Sequence, residues 1–169
     1  KQDLIDLVSA AHSKGLKVIL DVVPNHTADY FNGASSTYSS ASYQPAAPFN
    51  NPDWYHHYGD ITDWNNEYQV LNYDLGGLDD LNQDNADTRQ AIKDAYKNWI
   101  TLTGADGIRV DAARSMPKDF LQEFESYVGV PSFGEIFVGD VDYVSAFSNY
   151  EWGVLDFPLF FQAREVFAH

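Results

Sequence analysis

The stretch Gly107-Ile108-Arg109-Val110-Asp111 decides the fold. It is short and mostly apolar, and it lies between two segments of helical periodicity at 87–103 and 117–128. Two further short apolar runs occupy 17–23 and 132–136. Short apolar runs separated by helices are typical of parallel strands that are buried on both faces. The alternation predicts an α/β fold made of right-handed βαβ units.

The alternation continues towards both ends of the sequence. A helical pattern over 1–14 precedes the first strand, Val154–Phe157 resembles a fourth strand, and Leu159–Ala168 begins another helix. The region 27–82 has no sustained period, is rich in Asn, Gly, Ser and Asp, and is far longer than an ordinary connection. Its many Tyr and Trp residues favour packed structure over disorder, so we interpret it as an inserted subdomain.

Composition excludes several classes of function. The 169 residues carry 10 Lys+Arg against 25 Asp+Glu, a formal net charge of −15, which disfavours a nucleic-acid partner. There is no cysteine, so a disulfide framework, a thiolate metal site and a Cys nucleophile are excluded. The longest apolar runs, such as Val18–Val23, are too short to span a bilayer, and we expect no membrane partner.

Polar side chains interrupt the predicted strands near their C-terminal ends. Asp21 lies in the first strand, Arg109 and Asp111 lie on one side of the second, and Glu135 lies in the third. α/β folds bind ligands at this edge of the sheet. Neighbouring strands are about 4.8 Å apart, so two such carboxyl groups can reach the separation of about 5–5.5 Å found in retaining glycosidases.

Four segments resemble the conserved regions of the α-amylase family of glycoside hydrolases. They are Asp21-Val22-Val23-Pro24-Asn25-His26, Leu78-Asp79-Asp80-Leu81-Asn82, Gly107-Ile108-Arg109-Val110-Asp111-Ala112 and Gly134-Glu135-Ile136-Phe137. They occur in the order and approximate spacing of the family, and the resemblance extends over essentially the whole chain.

The resemblance implies a partial (β/α)8 TIM barrel that contains about the third to the sixth strand. Residues 1–26 and 83–169 would be barrel segments, and 27–82 would be the inserted subdomain B, linked to the barrel by calcium. Because such a barrel takes about 250 residues, we expect the chain to be an internal fragment. The fragment would lack the family's third catalytic Asp and would be inactive alone, and its parent would be secreted and monomeric.

The resemblance also implies roles for individual residues. Asp111 would be the catalytic nucleophile, Glu135 the general acid/base, and Arg109 the residue that orients the nucleophile. Substrate contacts would come from His26, Tyr73, Arg114 and Phe137. A Ca²⁺ ion would be held by the side chains of Asn25 and Asp80 and by backbone oxygens near Glu67 and of Ser115.

The function that follows is retaining hydrolysis of α-1,4-glucosidic bonds in starch-like α-glucans. An alternative within the family is a transglycosylase such as a cyclodextrin glucanotransferase, because Phe137 matches an aromatic residue on the acceptor side of those enzymes. A non-catalytic carbohydrate-binding relative is a further alternative, although both Asp111 and Glu135 are present. The last alternative is that the chain is a complete, smaller α/β binding module.

Overall fold

The computed structural model describes residues 1–168, so His169, which closes the predicted 83–169 segment, lies outside the described residues. Three parallel strands form one sheet in the order β1-β2-β3. Their bounds are Ile19–Val22 for β1, Gly107–Val110 for β2 and Ser132–Gly134 for β3. The α/β class and the parallel sheet predicted from the sequence are therefore present.

Helices connect and cover these strands. Asn85 caps the longest helix by accepting hydrogen bonds from the backbone of Asp87 and Thr88, and Gly104 ends it in the left-handed conformation at φ 70°. None of the helices in residues 1–168 is long and apolar enough to cross a bilayer. The helices are α1 Gln2–Ser13, α2 Glu67–Asn72, α3 Ala86–Thr103, α4 Lys118–Val128, α5 Val141–Ser145 and α6 Phe157–Phe167.

The apolar core lies between the sheet and the helices. Ile108 and Val110 of β2 point to this side and are fully buried, as are Phe120 and Phe124 of α4. Because successive strand residues point to opposite faces, Arg109 points to the other side of the sheet. The core thus fixes which face of β2 presents its charged side chains.

The prediction that the first strand is buried on both faces is wrong. Ile19 is 50% exposed and the Asp21 side chain is 67% exposed. In the described sheet β1 pairs with β2 alone, so its outer edge has no neighbouring strand. β2 is paired on both sides, and it has the burial predicted for a central parallel strand.

The prediction of a fourth strand over Val154–Phe157 is also wrong. Val154 forms a single parallel bridge with Gly134, and the chain turns into α6 at Phe157, earlier than the predicted start at Leu159. Asp156 caps this helix by accepting a hydrogen bond from the Leu159 backbone. This cap and the following Pro158 start the helix before a strand can extend.

Residues 27–82 are largely irregular, and their one α-helix is α2. Isolated bridges join His26 to Asp80 and Tyr55 to Leu81, so the end of the region returns to its beginning. Phe31 and Tyr55 pack into the same apolar cluster as the central strand. The subdomain bounds remain a prediction, but the region is packed, as its aromatic content indicated.

Candidate active site

Arg109 lies at the centre of a cluster of carboxylates at the C-terminal edge of the sheet. Its Nη1 atom lies 2.8 Å from Asp21 Oδ1 and also contacts Asp111 Oδ1. Its Nη2 atom lies 2.9 Å from Glu135 Oε1. One guanidinium therefore binds carboxylates that follow or belong to three different strands.

Strand register explains why these side chains meet. Arg109 pairs with Asp21 on one side and with Phe133 on the other. Two residues further along, Asp111 and Glu135 fall side by side on the same face. The sequence predicted this meeting of Arg109, Asp111 and Glu135, and the structure brings the three together.

The backbone holds both carboxylates in place just beyond the strands. The Asp111 N–H donates to Val22 O at 2.8 Å, and the Glu135 N–H donates to Val110 O at 2.9 Å. The next residue, Ala112, has φ 52°, in the left-handed region that non-glycine residues rarely adopt. In this conformation its N–H is directed at Glu135 Oε2, at 3.4 Å. The strained turn thus contributes a donor to the site.

The environment of Glu135 favours its protonated form. Burial raises the pKa of this carboxyl, and the neighbouring Asp111 carboxylate raises it further, whereas the Ala112 N–H and the Arg109 charge oppose the rise. Burial and a like charge are the two usual reasons that a carboxyl group retains its proton. Glu135 is therefore suited to donate a proton beside an Asp111 carboxylate.

A cavity of about 530 Å³ opens beside Glu135. Its volume falls in the range of about 300–1,000 Å³ typical of small-molecule sites. Region 27–82 forms one wall, and the segments that follow β2 and β3 form the other. The lining residues are Trp64, Leu75, Ala112, Arg114, Ser115, Glu135 and Phe137.

Arg114, a predicted substrate contact, also holds the two walls together. Its Nη2 atom donates to Trp64 O at 2.7 Å, and its guanidinium lies 5.3 Å from the Trp64 ring centroid. The same guanidinium lies 5.5 Å from the centroid of Tyr143. Arg114 lines the cavity, and it contacts Trp64 both through one N–H donor and through the face of its guanidinium.

The other three predicted substrate residues differ in placement. Phe137 is 56% exposed at the cavity, although its ring packs 4.7 Å from that of Phe157. His26 Nδ1 lies 3.0 Å from Asn25 Oδ1, and burial lowers the pKa of His26 against the opposing effect of Asp111. Tyr73 stacks on Tyr58 at 5.3 Å, in an aromatic cluster of region 27–82. The sugar-contact roles of all three remain predictions.

Three of the four predicted calcium ligands lie together. Asn25 Nδ2 is 2.9 Å from both Asp80 Oδ1 and Ser115 O, and the Asn25 and Asp80 side chains are buried. The Glu67 carboxylate accepts a hydrogen bond from Tyr143 OH at 3.1 Å, and the predicted backbone ligand near Glu67 stays a prediction. Residues 1–168 contain no group of three or more His, Cys, Asp or Glu side chains arranged to hold a metal. The Asn25 amide turns its nitrogen to Asp80 and Ser115 and its oxygen to His26 Nδ1, and Asp80 Oδ2 contacts His56 Nδ1 at 2.6 Å. A carboxylate, a side-chain amide and a backbone carbonyl are the classes of oxygen group that Ca²⁺ binds, so the residue types fit the ion.

Sequence reasoning placed Asp21 at this edge of the sheet without giving it a role, and it did not single out Trp64 as a member of the site. Asp21 contacts Arg109 as closely as Glu135 does, and its signal was a charged residue within an apolar strand. Trp64 lines the cavity, but no pattern in region 27–82 distinguished it from the other aromatic residues.

Two carboxyl groups that share an arginine at the C-terminal edge of a parallel sheet, beside a cavity, are typical of glycoside hydrolases built on (β/α) barrels. The family model for the catalytic domain of alpha-amylase matches residues 1–143. The chain belongs to the alpha-amylase family of glycoside hydrolases.

Individual relatives support this assignment. A beta/alpha-amylase of Paenibacillus polymyxa is 41% identical over 170 residues, which cover 98% of this chain and 14% of the relative. A cyclomaltodextrin glucanotransferase of Klebsiella oxytoca is 40% identical over 130 residues, 73% of this chain and 20% of the relative. The crystal structure of an Anoxybacillus alpha-amylase matches with a TM-score of 0.82 at 32% identity, covering 99% of this chain and 36% of that one. The chain thus spans between 14% and 36% of the length of these relatives.

Proposed function

We propose that this chain belongs to an enzyme that hydrolyses α-1,4-glucosidic bonds in starch-like α-glucans with retention of configuration. The observation that carries the proposal is the sharing of Arg109 by Asp111 and Glu135. Both carboxyl groups bind one guanidinium from neighbouring strands, so they are close enough for the double-displacement mechanism.

In the first step, Asp111 attacks the anomeric carbon while Glu135 transfers its proton to the glycosidic oxygen that leaves. A covalent bond forms between the Asp111 oxygen and the sugar, and the glycosidic bond breaks. Arg109 binds the Asp111 carboxylate and thereby orients it.

In the second step, Glu135 accepts a proton from a water molecule, which attacks the same anomeric carbon. The bond to Asp111 breaks, and Glu135 is again protonated for the next cycle. Two inversions at one carbon give net retention. The raised pKa of Glu135, caused first by burial, suits a group that must both give and take a proton.

We further propose that β1, β2 and β3 are consecutive strands of a (β/α)8 barrel, beginning with its third strand, as the motif order implies. In isolation, β1 has an unpaired outer edge and Ile19 is half exposed. We expect residues 1–169 alone to have no hydrolytic activity. We also propose a secreted, monomeric whole protein, because polymeric starch lies outside the cell.

Ca²⁺ is the proposed ion at Asn25, Asp80 and the Ser115 carbonyl, with a backbone oxygen near Glu67 as a further ligand. Asn25 directly precedes region 27–82, Asp80 lies near the end of that region, and Ser115 follows β2. When bound, the ion would supply a structural link between this region and the sheet.

Transglycosylation is a second candidate for the whole protein. Phe137 is exposed beside Glu135, and an apolar group there disfavours water as the acceptor. The similarity to a cyclomaltodextrin glucanotransferase of Klebsiella oxytoca is compatible with it.

The test uses the whole protein on linear maltooligosaccharides, with the configuration of the first product followed by NMR. We expect the α-anomer to form first, and an initial β-anomer would overturn the assignment of Asp111 and Glu135. Linear products support hydrolysis, and cyclic products would replace it by transglycosylation. The 169-residue chain assayed in parallel should release no sugar, and substantial turnover would contradict our expectation for it.

A further inference from the structure

A buried glutamate lies on the opposite face of the sheet end that carries Glu135. Glu151 is 5% exposed, and neither of its carboxyl oxygens has a hydrogen-bond partner among residues 1–168. A buried polar atom without a partner is costly, so its presence in the core calls for a physical reason.

Glu151 lies directly against the residue that precedes Glu135. A Cβ atom added to Gly134 would lie 1.8 Å from Glu151 Oε2, so only glycine leaves room for this carboxyl group. Gly134 pairs with Val110, whose side chain points into the core away from Arg109. Glu151 therefore supports the end of β3 from the core side, while Glu135 faces the cavity.

The backbone ties the same two segments together. The Gly134 N–H donates to Gly153 O at 3.0 Å, and the Leu155 N–H donates to Gly134 O at 3.0 Å. The segment that carries Glu151 is therefore joined by hydrogen bonds to the end of β3. Ser132 lies two residues before Gly134 on the same face of β3, and its buried hydroxyl also has no hydrogen-bond partner in the described residues.

No cation neutralises this carboxyl group. From α4, the group that faces it is Glu125, which is 6% exposed and accepts a hydrogen bond from the Trp152 N–H at 3.0 Å. From β3 and from the turn over 146–149, the neighbouring residues carry no charge. Lys118 lies over the Phe147 ring, and within residues 1–168 neither glutamate forms an ion pair.

We propose that Glu151 is a positioning residue for Glu135: as an uncharged carboxylic acid it packs on Gly134 and fixes the end of β3, and its ionisation displaces that strand end. The proposal rests on the proposed function of Glu135 as the acid/base. Burial raises the pKa of Glu151 to about 8, Glu125 adds to the rise, and the nearby Gly134 backbone opposes it. The uncharged form therefore predominates below about pH 8.

The first measurement is the pH dependence of kcat for the whole protein at saturating maltooligosaccharide. Loss of the Glu135 proton makes log kcat fall with a slope of one per pH unit on the alkaline side of the profile. Ionisation of Glu151 adds a second loss above pH 8, about tenfold at one pH unit beyond it. Glu151→Gln keeps the shape without the ionisation, so we expect it to retain only the limb of slope one.

A second variant should move the additional alkaline loss of kcat to lower pH, whereas Glu151→Gln should remove it. Glu125→Gln removes the charge that raises the pKa of Glu151, so the additional loss should begin at lower pH. Glu165→Gln, at an exposed position in α6, is the matched control and should leave the profile unchanged. If Glu151 had only a structural role, the two variants would change the stability of the protein but would not shift the alkaline limb of the kcat profile in opposite directions. Coincident profiles for the wild type, Glu151→Gln and Glu125→Gln would overturn the proposal.

A third measurement separates this proposal from the proposed function. The pKa of Glu151 is higher in the folded than in the unfolded state, so its stabilising contribution is lost as pH rises towards 8. The midpoint of thermal unfolding should fall less for Glu151→Gln than for the wild type between about pH 5 and about pH 9. This difference needs no substrate, so it persists even if the enzyme does not act on α-glucans. Equal pH dependence of the two midpoints would refute the buried, uncharged state.

Discussion

Arg109 Nη2 lies 2.9 Å from Glu135 Oε1, while Nη1 of the same guanidinium contacts Asp111. One cation thus serves two carboxyl groups that would have opposite tasks. It contacts the carboxylate of the proposed nucleophile, and it also lowers the pKa of the acid/base. Burial, the largest effect on Glu135, outweighs the arginine and keeps the net direction upward.

Replacement of Arg109 by lysine tests the shared contact. Lysine retains the charge but lacks the planar fork that reaches two carboxylates at once. We expect kcat for maltooligosaccharide hydrolysis by the whole protein to fall about 100-fold, with a smaller change in KM. Arg89→Lys is the control, because Arg89 bridges α3 and α4 through Asp119 and Glu123. A kcat near the wild-type value in Arg109→Lys would contradict an orienting role.

Replacement of Arg109 by glutamine should move the pH profile. The Arg109 charge lowers the pKa of Glu135, so its removal raises that pKa further. Glu135 must be protonated to donate, and the alkaline limb of the remaining activity should therefore shift to higher pH. The measurement is kcat/KM against pH, and a shift to lower pH would be inconsistent with the geometry of the pair.

The two carboxyl groups can be tested by isosteric replacement. Asp111→Asn removes the nucleophile and Glu135→Gln removes the transferable proton, so each should lower kcat by about 10²–10⁴-fold or more. The size of the side chain is unchanged, and thermal unfolding should confirm that the fold remains. Asp142→Asn, at an exposed position in α5, is the matched control. Activity retained in either variant would refute the site assignment.

Calcium removal should lower stability in a manner that depends on Asp80. A ligand that binds only the folded state contributes about 2.7 kcal/mol at 100 times its dissociation constant. We expect a chelator to lower the unfolding temperature of the whole protein, and added Ca²⁺ to restore it. Asp80→Asn should abolish this response, whereas Asp84→Asn, which replaces an exposed aspartate nearby, should retain it. A response that survives in Asp80→Asn would exclude Asp80 as a ligand.

Arg114 should influence substrate binding through the cavity wall. Arg114→Ala removes the hydrogen bond to Trp64 O and the contact with the Trp64 ring, so the wall formed by region 27–82 loosens. We expect KM to rise severalfold, by about 1 kcal/mol of binding free energy, with kcat less affected. Arg164→Ala removes a similar contact with Phe160 on α6 and serves as the control. An unchanged KM would show that the wall does not depend on Arg114.

Much of the fold could be read from short-range patterns. The apolar runs around Ile108 and Val110 predicted a central parallel strand, because burial on both faces requires such a run. The same logic failed for Ile19, since an edge strand keeps the apolar pattern without the burial. The strand prediction also failed at Val154, which forms only one β-bridge, to Gly134, before Asp156 caps the start of α6.

The sequence by itself determined the fold class and the meeting of Arg109, Asp111 and Glu135, because strand periodicity fixes which side chains share a face. Only the tertiary structure decided that Asp21 binds the same guanidinium and that Trp64 lines the cavity. It also decided that the Glu151 carboxyl group fills the space that a side chain at position 134 would occupy. These contacts join residues far apart in the chain or in irregular segments. No local periodicity encodes them, since they depend on how the segments pack in three dimensions.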